Sequence, residues 1–179
     1  VNYANALADA QKQGFAEADP TNDVCGFDAA RKLAILSSIG FRANVTFDDV
    51  LVDGIEKIAK SDIQYAKDMG YTIKLLTVAL RQENGIALNV YPAFLPDNHP
   101  LSSVKGAYNA IYVTGNIVDD VMFYGRGAGA LPTASAVMGD VISTAQHILN
   151  GSTGTGMIMT DTKRIPFYSS LKLRNSYYF

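Results

Sequence analysis

Residues 71–93 read YTIKLLTVALRQENGIALNVYPA. The runs 71–81 and 86–93 are rich in β-branched and aromatic residues, and Gln82-Glu83-Asn84-Gly85 between them ends in Asn-Gly, a strong hairpin signal. These residues predict a β-hairpin. Further strands are expected at about 107–114 and 120–124, on either side of a polar turn around Gly115-Asn116, extending the hairpin into an antiparallel meander. Helical spacing appears at 3–13, before Gly14, and at 61–69, where Ser61 is a candidate N-cap and Gly70 a terminator. A helix from Asn22 or Asp23 to about Ile39 follows Asp19-Pro20, and another runs from about Ala134 to Leu149 behind Thr133. Residues 46–58 mix strand and short-helix signals. The predicted class is α+β: a mostly antiparallel sheet (β-meander) covered by helices on one face.

With 179 residues the chain can build one domain with a substantial core, or such a domain with short appendages. A net charge of −2 without a basic stripe argues against a nucleic-acid partner. The single cysteine, Cys25, cannot form an internal disulfide, and with His99 and His147 it gives no zinc spacing, so no metal is expected and a reducing, cytoplasmic setting fits. The apolar helix at 134–149 is interrupted by Asp140, Gln146 and His147 and is too short to span a bilayer, so no membrane role is expected. A start at Val1 and an end on NSYYF, resembling the opening of a strand, lead us to expect a piece of a longer protein.

Charge is concentrated in one place. Residues 16–32, AEADPTNDVCGFDAARK, hold four carboxylates (Glu17, Asp19, Asp23, Asp28) and two bases (Arg31, Lys32) in a chain that is only 18% charged. On a helix, Lys32 falls among Asp28, Ile35, Leu36 and Ile39, so its stem must cross apolar surface. The cluster reads as a polar site. Without further context Asp23 reads as an N-cap, and Asp28 with Lys32 as a surface pair worth about 0.3–0.5 kcal/mol. Asp19, before a proline, reads as a turn residue.

Three separated motifs, AEADPTNDVCGFDAARK, GYTIKLL and YGRGAGALPTASAVMGD, occur with HPLSSVKGAYNAI between the last two. In this order they resemble the catalytic domain of homoserine dehydrogenase over about residues 3–149. The resemblance implies the fold of the C-terminal catalytic domain of two-domain semialdehyde/homoserine dehydrogenases. The implied domains are 1–149, for substrate binding and dimerisation, and 150–179, a linker towards a missing C-terminal domain. It implies NAD(P)-dependent interconversion of L-aspartate 4-semialdehyde and L-homoserine in threonine and methionine biosynthesis, by a homodimer. Carried over by motif, Lys32 exchanges the proton, Asp28 orients Lys32, Glu17 and Asp23 hold the substrate, and Gly129 with Gly127 approaches the cofactor. The chain holds no strand-GxGxxG-helix fingerprint, so the fragment alone is expected to bind no NAD(P) and to be inactive.

Two other readings compete. A cysteine-dependent semialdehyde dehydrogenase would need Cys25 as nucleophile, yet Cys25 lies between Asp23 and Asp28, where negative charge disfavours the thiolate. A non-catalytic, dimerising substrate-binding module would use the same cluster without chemistry. Lys74 reads as a strand lysine that snorkels, and His99, before Pro100, as a loop hydrogen-bonding residue. ILNGSTG at 148–154 resembles a substrate-loop motif but follows the last helix, so it is expected to be linker.

Overall fold

A computed structural model describes residues 3–12, 16–83, 85–127, 129–152 and 166–168. Gly14, Asn84 of the hairpin turn, residues 153–154 of ILNGSTG and the NSYYF segment lie outside them. The element order is α1 (Tyr3–Lys12), α2 (Thr21–Val24), α3 (Phe27–Phe41), a 3-10 turn (Phe47–Asp49), β1 (Leu51–Val52), α4 (Lys60–Asp68), β2 (Tyr71–Gln82) and β3 (Gly85–Pro96). A second 3-10 turn (Pro100–Ser103), β4 (Tyr108–Gly115), β5 (Asp119–Arg126), α5 (Ala130–Leu149) and β6 (Phe167–Tyr168) complete it. The α+β class is as expected. Two compact units divide at Phe94–Leu95, the first joined by β6.

In the first unit the sheet order is β1-β3-β2, with β6 also on β3. β2 and β3 form the predicted hairpin, but β1 and β6 lie parallel to β3, at Asn89–Val90 and Ile86–Ala87. β1 falls within the segment of mixed strand and helix signals, but a two-residue strand carries no periodicity from which a parallel partner could be read. Helices α3 and α4 pack on β2. α3 buries Ala30, Leu33, Ala34, Ser37 and Ser38, spaced i, i+3, i+4, i+7, i+8, as an amphipathic helix must. That stripe meets Val45, Val50, Ile86, Leu88 and Val90, and Phe41, Leu75 and Phe167 close the edge of the core. Ser38 Oγ accepts from Val45 N at 3.2 Å and is 3.3 Å from Val45 O, to which it donates, stitching the returning loop to the helix.

The helix expected from Asn22 or Asp23 to Ile39 is broken. α2 is a single turn, Gly26 takes φ 78°, and α3 starts afresh at Phe27. A left-handed residue interrupts the hydrogen-bond ladder, and glycine adopts it without a Cβ penalty. Nor does Asp23 cap the helix. Asp19 Oδ1 instead accepts from Thr21 N at 3.1 Å and from Thr21 Oγ1 at 2.6 Å, an Asx-type start that turns the chain.

Other helix starts also moved. At α4, Asp62 Oδ2 accepts from Ala59 N at 2.7 Å, so capping comes from Asp62 rather than Ser61. α5 begins at Ala130, behind Gly129, and Thr133 N already bonds Gly129 O at 3.1 Å. Pro132 fits inside that first turn because the N–H it lacks would have no partner there. The mixed signals at 46–58 resolve into both elements: Asp49 Oδ2 accepts from Thr46 N and Oγ1, each at 2.8 Å, to close the 3-10 turn, and β1 follows.

In the second unit β4 and β5 pair antiparallel from Tyr108↔Arg126 to Gly115↔Asp119. They form their own two-stranded sheet rather than continuing β2-β3, so the expected meander is two hairpins. Pro96 is the last residue of β3 and Pro100 opens the 3-10 turn that follows, and proline ends ladder pairing. His99 Nδ1 accepts from Leu101 N at 3.1 Å, the loop role expected of it. Among the described residues no helix is long and apolar enough to cross a membrane, and no group of metal-binding side chains occurs.

Candidate active site

The corner between α2 and α3 converts a sequence cluster into a cleft. Ala16, Glu17, Asp19, Asn22, Asp23, Asp28 and Arg31 line an open cavity of about 360 Å³. Thus all four carboxylates of the 16–32 cluster face one space. Gln11 Nε2 donates to Glu17 O at 2.9 Å and to Ala18 O at 3.3 Å, tying α1 to the loop that carries Glu17. Asp28 stands in the first turn of α3, where the positive end of the helix dipole favours a carboxylate.

Lys32 does not line the cavity itself but reaches its wall. Its Nζ lies 2.6 Å from Asp28 Oδ2, one helical turn away. The lysine side chain is 65% exposed, so the ion pair contributes little to stability while holding the ammonium at the cleft edge. The expected apolar stripe exists, but Ile35, Leu36 and Ile39 are themselves exposed.

Arg31 is a wall residue to which sequence reasoning assigned no role. Nη1 donates to Asn22 Oδ1 at 2.9 Å, and the guanidinium carbon lies 5.4 Å from the Phe47 ring centroid. Bonded across from α3 to α2 and packed on an aromatic face, it braces the corner. Its i+3 spacing from Asp28 could have revealed that both share a helix face. Asn22 and Phe47 offered no comparable signal.

Two titrations are shifted here. The Thr21 hydroxyl, then the Thr21 backbone N–H, holds the Asp19 carboxyl below the ordinary aspartate value. Burial pushes the Cys25 thiol up, aided by the charge and hydrogen bond of Glu56 and the charge of Asp19. A thiol held protonated is a poor nucleophile, which counts against the cysteine-dependent alternative.

The glycines belong to the second unit. Gly127 N donates to Ala107 O at 3.1 Å, and the Asn109 side chain occupies the space that a Cβ on Gly127 would need. Gly129, at φ 122°, delivers the chain to α5, whose first turn has no side-chain cap. Sterics and backbone conformation therefore account for glycine at both positions. Lys74 is half-buried on β2, as a strand lysine should be.

The family model for homoserine dehydrogenase matches residues 1–142. The chain belongs to the homoserine dehydrogenase family. The homoserine dehydrogenases of Bacillus subtilis and Corynebacterium glutamicum are each 48% identical to it over 87% of this chain. This chain spans 36% of the length of either relative. The crystal structure of a homoserine dehydrogenase from Thiobacillus denitrificans matches 94% of the chain, and 40% of its own, with TM-score 0.87 and 38% identity. A hyperthermophilic archaeal homoserine dehydrogenase in complex with NADPH matches 80% of the chain and 40% of its own, with TM-score 0.62 and 27% identity. Homoserine dehydrogenases are oxidoreductases, and the acidic cleft of this member lies in the matched region, as does the glycine turn.

Proposed function

We propose that the protein to which this chain belongs is an NAD(P)-dependent homoserine dehydrogenase that interconverts L-homoserine and L-aspartate 4-semialdehyde. The observation that carries this reading is one cleft in which Glu17, Asp23 and Asp28 converge while Asp28 holds the Lys32 ammonium, within a chain of this family. The NADPH-bound archaeal relative supports a nicotinamide cofactor. The backbone of Gly127 and Gly129 fits contact with it, because Gly129 leaves the N-terminus of α5 without a side-chain cap. The cofactor supplies or accepts a hydride.

Each side chain then has a task. Glu17 and Asp23 bind the substrate ammonium by charge-assisted hydrogen bonds in a cleft whose net charge is negative. Lys32 gives its proton to the aldehyde oxygen as the carbon is reduced, and takes the hydroxyl proton when homoserine is oxidised. Asp28 keeps the ammonium aimed at that oxygen. The protein works in the cytoplasm in threonine and methionine biosynthesis. Residues 1–149 form the catalytic domain, and residues 150–179 lead towards a further one.

Full-length protein is expected to reduce NAD(P)+ with L-homoserine, followed by absorbance at 340 nm, whereas this 179-residue chain alone neither binds NAD(P)H nor turns over. Lack of homoserine oxidation by the full-length protein would exclude the reading. Turnover by the 179-residue chain would show that the cofactor site lies within it.

The homodimer is proposed on the β4-β5 hairpin. Ile111, Val113 and Phe123 share one face and are 43%, 44% and 62% exposed, although a two-stranded sheet is at best marginally stable unless something covers it. A second copy supplies that cover. Sedimentation of the full-length protein should give a dimer and Phe123→Glu should shift it towards monomer; a monomeric wild type would refute the assignment.

A further inference from the structure

The charged cleft depends on a corner made by uncharged residues. Asp23 rides on α2, Asp28 and Lys32 ride on α3, and the two helices meet at Cys25 and Gly26. The corner is packed from below. A Cβ on Gly26 would stand 3.1 Å from Val90 Cγ1 and 3.2 Å from Val52 Cγ1. It is packed from the side still more tightly: a Cβ on Gly54 would overlap the Val24 carbonyl oxygen and lie 2.7 Å from Cys25 Cα.

Backbone hydrogen bonds hold the Gly54 loop at both ends. Asp53 N donates to Val90 O at 2.8 Å, anchoring the loop to the buried strand β3, and Ile55 N donates to Val24 O at 2.9 Å, gripping the corner. The next residue adds a charge, because the Glu56 carboxylate helps to raise the Cys25 thiol above its ordinary value. The two sides of the corner differ in what else restrains them. α3 is seated in the core by Ala30, Leu33 and Ala34, whereas α2 buries only Val24. A push at the corner therefore moves α2, with Asp23, and leaves Lys32 in place.

We propose that Gly54 is a positioning residue, whose missing side chain lets the 53–56 loop set the distance between the substrate-holding carboxylates and Lys32. The inference rests on the homoserine dehydrogenase reading. It adds a residue that touches no substrate and that lies more than twenty positions from the charged cluster.

The test uses the full-length enzyme and steady-state kinetics for homoserine oxidation. If the wild type does not oxidise homoserine, the functional reading fails before any variant is compared. With an active wild type, Gly54→Ala should lower kcat/KM for L-homoserine by about 100-fold, most of it as a rise in KM, because a shift of about 1 Å in a binding group costs that much. Gly40→Ala is the control: a Cβ there meets nothing within 4 Å, and KM should not change. Glu56→Ala removes the charge that the loop sets beside Cys25 without adding volume, and should raise KM in the same direction by a smaller factor. An unchanged KM in a folded Gly54→Ala enzyme overturns the proposal, whatever its Tm. If Gly54→Ala does not fold, Glu56→Ala decides: a raised KM supports the positioning role and an unchanged KM overturns it.

Discussion

Lys32→Ala in the full-length enzyme is expected to lower kcat for homoserine oxidation by at least about 100-fold, the lower end of what a positioned acid or base contributes. The fold should survive. Lys32 is exposed, and its pairing with Asp28 is an i,i+4 contact at the surface, of a kind that contributes a few tenths of a kcal/mol. The loss should appear in kcat and kcat/KM together, the signature of an interaction made in the transition state. Lys32 presents its ammonium at the edge of the cleft, so deletion leaves the proton with no positioned carrier. Thermal melting and circular dichroism matching the wild type would tie the loss to chemistry. Turnover within a few-fold of the wild type would remove Lys32 from the mechanism.

Glu17→Ala should act in the other kinetic constant. Glu17 lies on the loop before α2, held there through the Gln11 bonds to Glu17 O and Ala18 O, so the loop keeps its path when the carboxylate is lost. Asp19, Asp23 and Asp28 still make the cleft negative. On the proposed reading the substitution removes one charge-assisted hydrogen bond to the substrate ammonium, for which a weakening of about 10- to 100-fold is expected. Homoserine affinity, read from KM and from titration calorimetry of the cofactor-loaded enzyme, should fall while kcat at saturation changes little. An unchanged affinity would exclude Glu17 from substrate binding. A matched fall in kcat would mean that Glu17 acts in the transition state instead.

The parts of the structure that were legible in the sequence are those fixed by local rules. β-branched and aromatic runs joined by Asn-Gly marked the β2-β3 hairpin, whereas the apolar residues read beside Lys32, Ile35, Leu36 and Ile39, lie on the exposed side of α3 and its buried stripe, Ala30, Leu33, Ala34, Ser37 and Ser38, went unread. The charged cluster was legible as a site because its members are close in sequence, so almost any turn at Asp19-Pro20 would gather them. Helix starts were read less well. Asn22, Asp23, Ser61 and Thr133 were all plausible caps by residue type, but Asp19, Asp62 and Gly129 stand at those starts. Neighbouring polar residues compete for the same backbone groups, and their geometry decides between them.

By itself the sequence determined the α+β class, the hairpins, the family motifs and the gathering of four carboxylates near Lys32. Each follows from periodicity or from proximity along the chain. Tertiary structure alone decided that the helix breaks at Gly26, that β1 and β6 join β3 in parallel, that Arg31 reaches Asn22 and Phe47, and that the Gly54 loop presses on Val24 and Cys25. The reason is the same in each case. Val52 and Val90 fill the space that a side chain at Gly26 would need, and the corner is held by residues 53–55, partners too distant along the chain for any local pattern to announce.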